Sequence, residues 1–140
     1  MTDDFPITIF HNPACGTSRN ALAMIRSAGY EPTVVEYLDA GWTRSQLLDL
    51  FHRAGSQVRA FIREKGTPAA ELGLLGQDVP EETILQAMID HPVVVNRPIV
   101  VTPKGVKLCR PSEVVLDLLE NQPDSFTKED GEIVRLKPSA

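Results

Sequence analysis

Residues 7–22, Ile-Thr-Ile-Phe-His-Asn-Pro-Ala-Cys-Gly-Thr-Ser-Arg-Asn-Ala-Leu, read as a strand that passes through a tight turn into a helix. Ile7, Ile9 and Phe10 form an apolar run, Pro13 and Gly16 interrupt it, and Leu22, Met24 and Ile25 open a helical pattern beyond. Cys15 therefore stands where strand hands over to helix. The first turn of a helix presents backbone N–H groups with no intrahelical partner, and the aligned peptide dipoles place partial positive charge there. Both effects favour a thiolate: a free cysteine titrates near about 8.5, and helix starts with cationic neighbours bring it down to roughly 3.5–7.5. The same donors suit a bound oxyanion.

Outward from this stretch, Gly29 ends the helix and Pro32 to Leu38 reads as a second strand, which gives a right-handed βαβ unit with parallel strands. Thr43 is placed to cap a helix over 44–54, with Leu47, Leu48, Leu50 and Phe51 inward and Gly55 as its stop. A short helix is expected over 58–64, a loop over 66–80, and a helix opening at Pro80-Glu81-Glu82. Ile99-Val100-Val101 then reads as a strand, Lys104-Gly105 as a hairpin turn into 106–110, and Pro111-Ser112-Glu113 as the start of a last helix. The order βαβ, helices, hairpin, helix is the layout of an α/β fold with a thioredoxin-like mixed sheet and an inserted helical segment, which alone says little about function.

The 140 residues, 42% of them hydrophobic, fit a single domain with its core over about 7–120 and a polar tail over 121–140. A formal net charge of −5 argues against a nucleic-acid or anionic-membrane binder, both of which call for a broad basic face. No apolar run reaches the roughly 18 residues of a membrane span, and Met-Thr-Asp-Asp is unlike a signal peptide, so a cytoplasmic protein is expected. Two cysteines, Cys15 and Cys109, make no disulfide scaffold.

Cys15-Gly-Thr-Ser18 is C-x-x-S where a dithiol oxidoreductase has C-x-x-C, so a disulfide formed by Cys15 needs a thiol from elsewhere to resolve it. The C-x5-R phosphate loop of low-molecular-weight phosphatases is absent, because its arginine position holds Ala21. Oxyanion-binding arginines must come from other segments. Arg63, Arg97 and Arg110 are the candidates, since a planar guanidinium donates paired hydrogen bonds and stays charged. Arg97 precedes Pro98, and a cis bond there would hold it near Cys15. His11, four residues before Cys15, is suited to favour the thiolate as a cation or to shuttle a proton. Cys109 lies on an apolar strand and is most simply core. No metal-ligand spacing and no bound cofactor is indicated.

Four segments carry a resemblance: 11–20 (His-Asn-Pro-Ala-Cys-Gly-Thr-Ser-Arg-Asn), 58–63 (Val-Arg-Ala-Phe-Ile-Arg), 96–103 (Asn-Arg-Pro-Ile-Val-Val-Thr-Pro) and 108–115 (Leu-Cys-Arg-Pro-Ser-Glu-Val-Val). In this order they resemble the glutaredoxin-coupled arsenate reductases, the ArsC family. The resemblance implies that Cys15 attacks arsenate, that Arg63, Arg97 and Arg110 hold the oxyanion, and that His11 and Ser18 stabilise the thiolate. It further implies glutathione as cosubstrate, glutaredoxin as partner and no part in turnover for Cys109. Proteins similar to this family include glutathione-dependent thiol reductases and redox-responsive regulators of RNA polymerase. A regulator of that kind would more naturally keep a second cysteine at position 18.

Overall fold

The computed structural model describes residues 5–122 and 125–135. The acidic start, residues 1–4, and residues 123, 124 and 136–140 of the polar tail lie outside the described residues. The chain divides into two compact units, one from residues 1–36 and 97–140, the other from residues 37–96.

The first unit is built on a four-stranded sheet in the order β2-β1-β3-β4: β1 Thr8–His11, β2 Thr33–Glu36, β3 Ile99–Thr102 and β4 Gly105–Leu108. β2 is parallel to β1, as a helical crossover requires, with Thr8 opposite Thr33 and His11 opposite Glu36. β3 runs antiparallel to β1, and β4 antiparallel to β3, so the sheet is mixed and thioredoxin-like. Pro103 and Lys104 form the two-residue loop between the last two strands, and Gly105 follows at φ +145°. Helix α1, Gly16–Ser27, covers this sheet with a stripe of Ser18, Ala21, Met24 and Ile25 at helical spacing. Ala21, Met24 and Ile25 join Ile7, Ile9, Val100, Cys109 and Val115 in one apolar core.

Two expectations are corrected by the next elements. The second strand stops at Glu36, and Tyr37–Ala40 turns into a single helical turn, α2, that buries Tyr37. The last helix, Ser112–Leu118, is 3-10 rather than α. Pro111 offers no side-chain cap there, and the buried side chains Ser112, Val115 and Leu118 recur every three residues, the 3-10 repeat. The tail forms a hairpin of β5 Ser125–Thr127 and β6 Ile133–Arg135, with Phe126 and Val134 packed on the core of this unit.

In the second unit, α3 (Arg44–Ala54) begins as read: Thr43 Oγ1 accepts from the Gln46 amide, and the Gln46 side chain accepts from the Thr43 amide. Gly55, at φ +68°, closes it in the left-handed conformation. Leu47, Leu50 and Phe51 are buried as expected, but Leu48 is exposed. The expected 58–64 helix shrinks to a 3-10 turn at Val58–Phe61, because Ile62 leaves to bridge Val95. α4, Glu81–Asp90, starts after Pro80 with Glu81 and Glu82 in its first turn. Among the described residues no helix is long and apolar enough to cross a membrane.

Candidate active site

The turn from β1 into α1 is held by its own polar groups. The Cys15 amide donates to the Asn12 carbonyl (3.0 Å) and the Ala14 amide to Asn12 Oδ1 (2.9 Å), an Asx-type turn that presents Cys15 as the N-cap of α1. The Arg19 amide donates to the Cys15 carbonyl (2.9 Å), which starts the helix ladder. Ser18 is fully buried beneath the turn, and its Oγ accepts from the Asn12 amide (3.1 Å). The same oxygen shares a 2.7 Å hydrogen bond with His11 Nδ1. The fourth position of C-x-x-S, Ser18, thus organises the loop as well as removing a resolving thiol.

Arg97 and Arg110 come to this turn from the far half of the chain. Arg110 Nη1 donates to Cys15 Sγ at 3.7 Å and to the Arg97 carbonyl at 3.0 Å. Both arginines precede cis prolines: Arg97–Pro98, the geometry that would hold Arg97 near Cys15, and Arg110–Pro111, for which the sequence reading had no counterpart. Ser112 Oγ donates to the Thr17 carbonyl (3.2 Å), tying the 3-10 segment to the first turn of α1.

The electrostatic outcome follows from these contacts. Cys15 keeps 9% of its surface, and this burial pushes the thiol up. Partial positive charge at the Ser18 amide, hydrogen bonds from Arg97 and Arg110, and the Arg97 charge outweigh it and bring the pKa down to about 7. Cys109 is the contrast: it is wholly buried, its nearest hydrogen-bond acceptor is the Lys107 carbonyl (3.7 Å), and burial pushes its pKa up to about 12. Of two free thiols, one is activated and one is inert. Alkylation of Cys15 by iodoacetamide is therefore expected to rise with pH through an inflection near 7. An inflection near the free-thiol value of about 8.5 would contradict the activation.

His11 is 5% exposed, and its pKa is lowered, first by burial, with Glu36 opposing and the Arg26 and Arg19 charges adding to the fall. A histidine shifted this way is mainly neutral at pH 7, so the cationic role read from sequence gives way to the hydrogen bond with Ser18. The structure therefore groups His11, Cys15, Ser18, Arg97 and Arg110 in the first unit. Arg63 belongs to the second, where its amide donates to the Val94 carbonyl (2.7 Å) and its Nε to the Lys65 carbonyl (3.2 Å). Sequence reading missed Asn12 and Ser112, whose roles depend on backbone groups that only the folded turn exposes. Among the described residues no cluster of three or more His, Cys, Asp or Glu is placed to hold a metal ion.

Comparison with known proteins adds the following. The model of the ArsC family matches residues 10–118. An arsenate reductase of Rhizobium meliloti is 59% identical over 129 residues, 91% of this chain and 92% of that protein. One from Synechocystis is 56% identical over 135 residues, 96% of this chain and 93% of its own length. A solved arsenate reductase from Vibrio cholerae superposes with a TM-score of 0.78 at 34% identity, over 82% of this chain and 98% of that one.

Proposed function

Since the chain belongs to the ArsC family, we propose that it reduces arsenate to arsenite, with Cys15 as nucleophile and glutathione and glutaredoxin as thiol donors. The observation that carries this reading is the Arg110 guanidinium 3.7 Å from a sulfur whose pKa lies at about 7. With its pKa brought down to about 7, Cys15 supplies thiolate at neutral pH, and a planar donor stands beside the point where an oxyanion would meet it.

In the first step the Cys15 thiolate bonds to arsenic, and one arsenate oxygen leaves, protonated, as water. Arg97 and Arg110, the two arginines grouped with Cys15, hold the remaining oxygens. The neutral His11 keeps Ser18 in place under the thiolate. With Ser18 in place of a second thiol, the two electrons come from outside. A glutathione thiol replaces a second oxygen, which again leaves as water. A glutaredoxin thiolate then attacks the glutathione sulfur: a mixed disulfide forms, the electron pair stays on arsenic, and arsenic passes from +5 to +3. Hydrolysis of the Cys15–arsenic bond releases arsenite and restores the thiolate. Arginines discriminate weakly between arsenate and the equally shaped phosphate; the reducible centre and its affinity for sulfur supply the selectivity.

The reading takes residues 1–140 as one reductase domain that works in the cytoplasm with no bound cofactor. It is tested with purified protein, arsenate, glutathione and glutaredoxin, by measuring arsenite. Expected is arsenite formation that needs all three. Disulfide reduction with glutathione and no arsenite would instead assign the chain to the glutathione-dependent thiol reductases.

A further inference from the structure

The loop that carries Cys15 is braced from outside by a segment that the chemistry above does not use. Pro13, two residues before Cys15, lacks an N–H, and its carbonyl accepts from Arg19 Nη1 at 2.8 Å. The rest of that guanidinium is committed to Glu129 in the β5–β6 hairpin: Nε donates to Oε2 at 2.7 Å and Nη2 to Oε1 at 3.0 Å. Two further bonds fix the hairpin at this place. The Glu129 amide donates to Asn20 Oδ1 (3.1 Å), and Lys128 Nζ pairs with Glu113 Oε1 (2.8 Å) on the 3-10 segment. A Cβ added at Gly16, the residue after Cys15, would lie 3.7 Å from both Arg19 Nη2 and Glu129 Oε1, so the pair lies directly against the start of α1.

We propose that the hairpin is a strap for the nucleophile loop, with Glu129 and Arg19 as positioning residues that hold the Pro13 carbonyl and through it the direction of Cys15 Sγ. An exposed ion pair adds little to stability, and both side chains are about half exposed. Geometry is what this pair adds. Without the carboxylate, Arg19 is an ordinary solvated arginine whose many rotamers include few that reach Pro13. With it, all three nitrogens are engaged and the guanidinium plane is fixed. Nucleophile orientation is where small errors are costly, since a displacement of about 1 Å can lower a rate by about 10²-fold.

The inference rests on the proposed arsenate reaction, and its test separates the two. Glu129→Gln keeps the size of the side chain and loses the charge-assisted fork; Arg19→Lys keeps the charge and loses the fork. Amide exchange, read by NMR, needs no substrate. In both variants the Ala14 and Cys15 amides are expected to lose about tenfold in protection while β1 and β3 amides and the thermal midpoint stay as in wild type. In the arsenate assay kcat is expected to fall about tenfold, with KM for arsenate changed less than about twofold. A merely structural pair would move the thermal midpoint and leave that split unmoved. A merely electrostatic one would act oppositely in Glu129→Gln, because losing a nearby negative charge favours the thiolate. Unchanged Ala14 and Cys15 protection, protection lost equally in the sheet, or, where the wild type makes arsenite, kcat unchanged in the two variants would each overturn the strap. A wild type that makes no arsenite overturns the reaction instead, and the exchange data then decide the strap alone.

Discussion

Cys15→Ser is expected to lower arsenite formation to background, a loss of at least about 10³-fold, at unchanged fold. A serine hydroxyl under the same amide and guanidinium groups is not ionised at neutral pH, so the first bond to arsenic does not form. Nor would an oxygen bridge substitute, because the later steps pass electrons between sulfur and arsenic. The paired control is Cys109→Ser. That thiol is wholly buried, unionised with a pKa near 12, and directed to the Lys107 carbonyl, a contact that a serine hydroxyl can reproduce. Turnover per folded molecule is expected to match wild type. Arsenite measured in the coupled assay checks both variants side by side.

The second large effect is expected at Arg110. Arg110→Ala removes a donor from Cys15 Sγ and, in the proposed reaction, a clamp on the oxyanion. Loss of one preorganised donor to a developing charge is worth about 10²–10³-fold, and kcat/KM for arsenate should fall by that order. The two roles separate by pH. Arg110 lowers the Cys15 pKa, so its removal raises it from about 7 toward the free value, and the thiolate fraction at pH 7 falls. At pH 9 most of that fraction returns, so the deficit should narrow between pH 7 and 9 to the part owed to oxyanion binding. Arg110→Lys keeps a charge and gives up the fork. It should recover most of the ionisation and little of the binding, which alkylation and arsenate kinetics read independently.

The parts of the fold that were legible are those whose signals are local. Pro13 and Gly16 punctuate the strand-to-helix turn, Thr43 caps one helix while Gly55 ends it, and Lys104-Gly105 marks the hairpin to within one residue of its Pro103-Lys104 loop; each acts within a few residues of itself. The errors arose where the signal was weak or distant. Ser112–Leu118 has an apolar repeat that α and 3-10 geometry share over one turn, and Tyr37, a strand-favouring aromatic two residues after Val35, leaves the strand. In the polar tail, Asp130-Gly131 between Phe126 and Val134 is the local signal for the hairpin that forms there.

The site was legible through chemistry more than through geometry. That Cys15 lies at a helix start, and that arginines must come from other segments, follows from residue types and spacing. Which arginine meets the sulfur is a contact across 95 residues, and only the pairing of β1 with β3 and β3 with β4 brings it about. The same limit concealed the Arg19–Glu129 pair, separated by 110 residues. His11 was legible as a participant but not in its charge state, because burial of an imidazole is a property of the packed molecule.

The claim that Cys15 is the atom that bonds to arsenic is tested most directly by crystals of the wild-type protein soaked in arsenate before any other thiol is added. Expected is density continuous from Cys15 Sγ to a tetrahedral oxyanion, with the Arg110 guanidinium on its oxygens and none of that density in Cys15→Ser. An arsenic atom joined to Cys109, or an oxyanion bound away from Cys15 in both proteins, would contradict it.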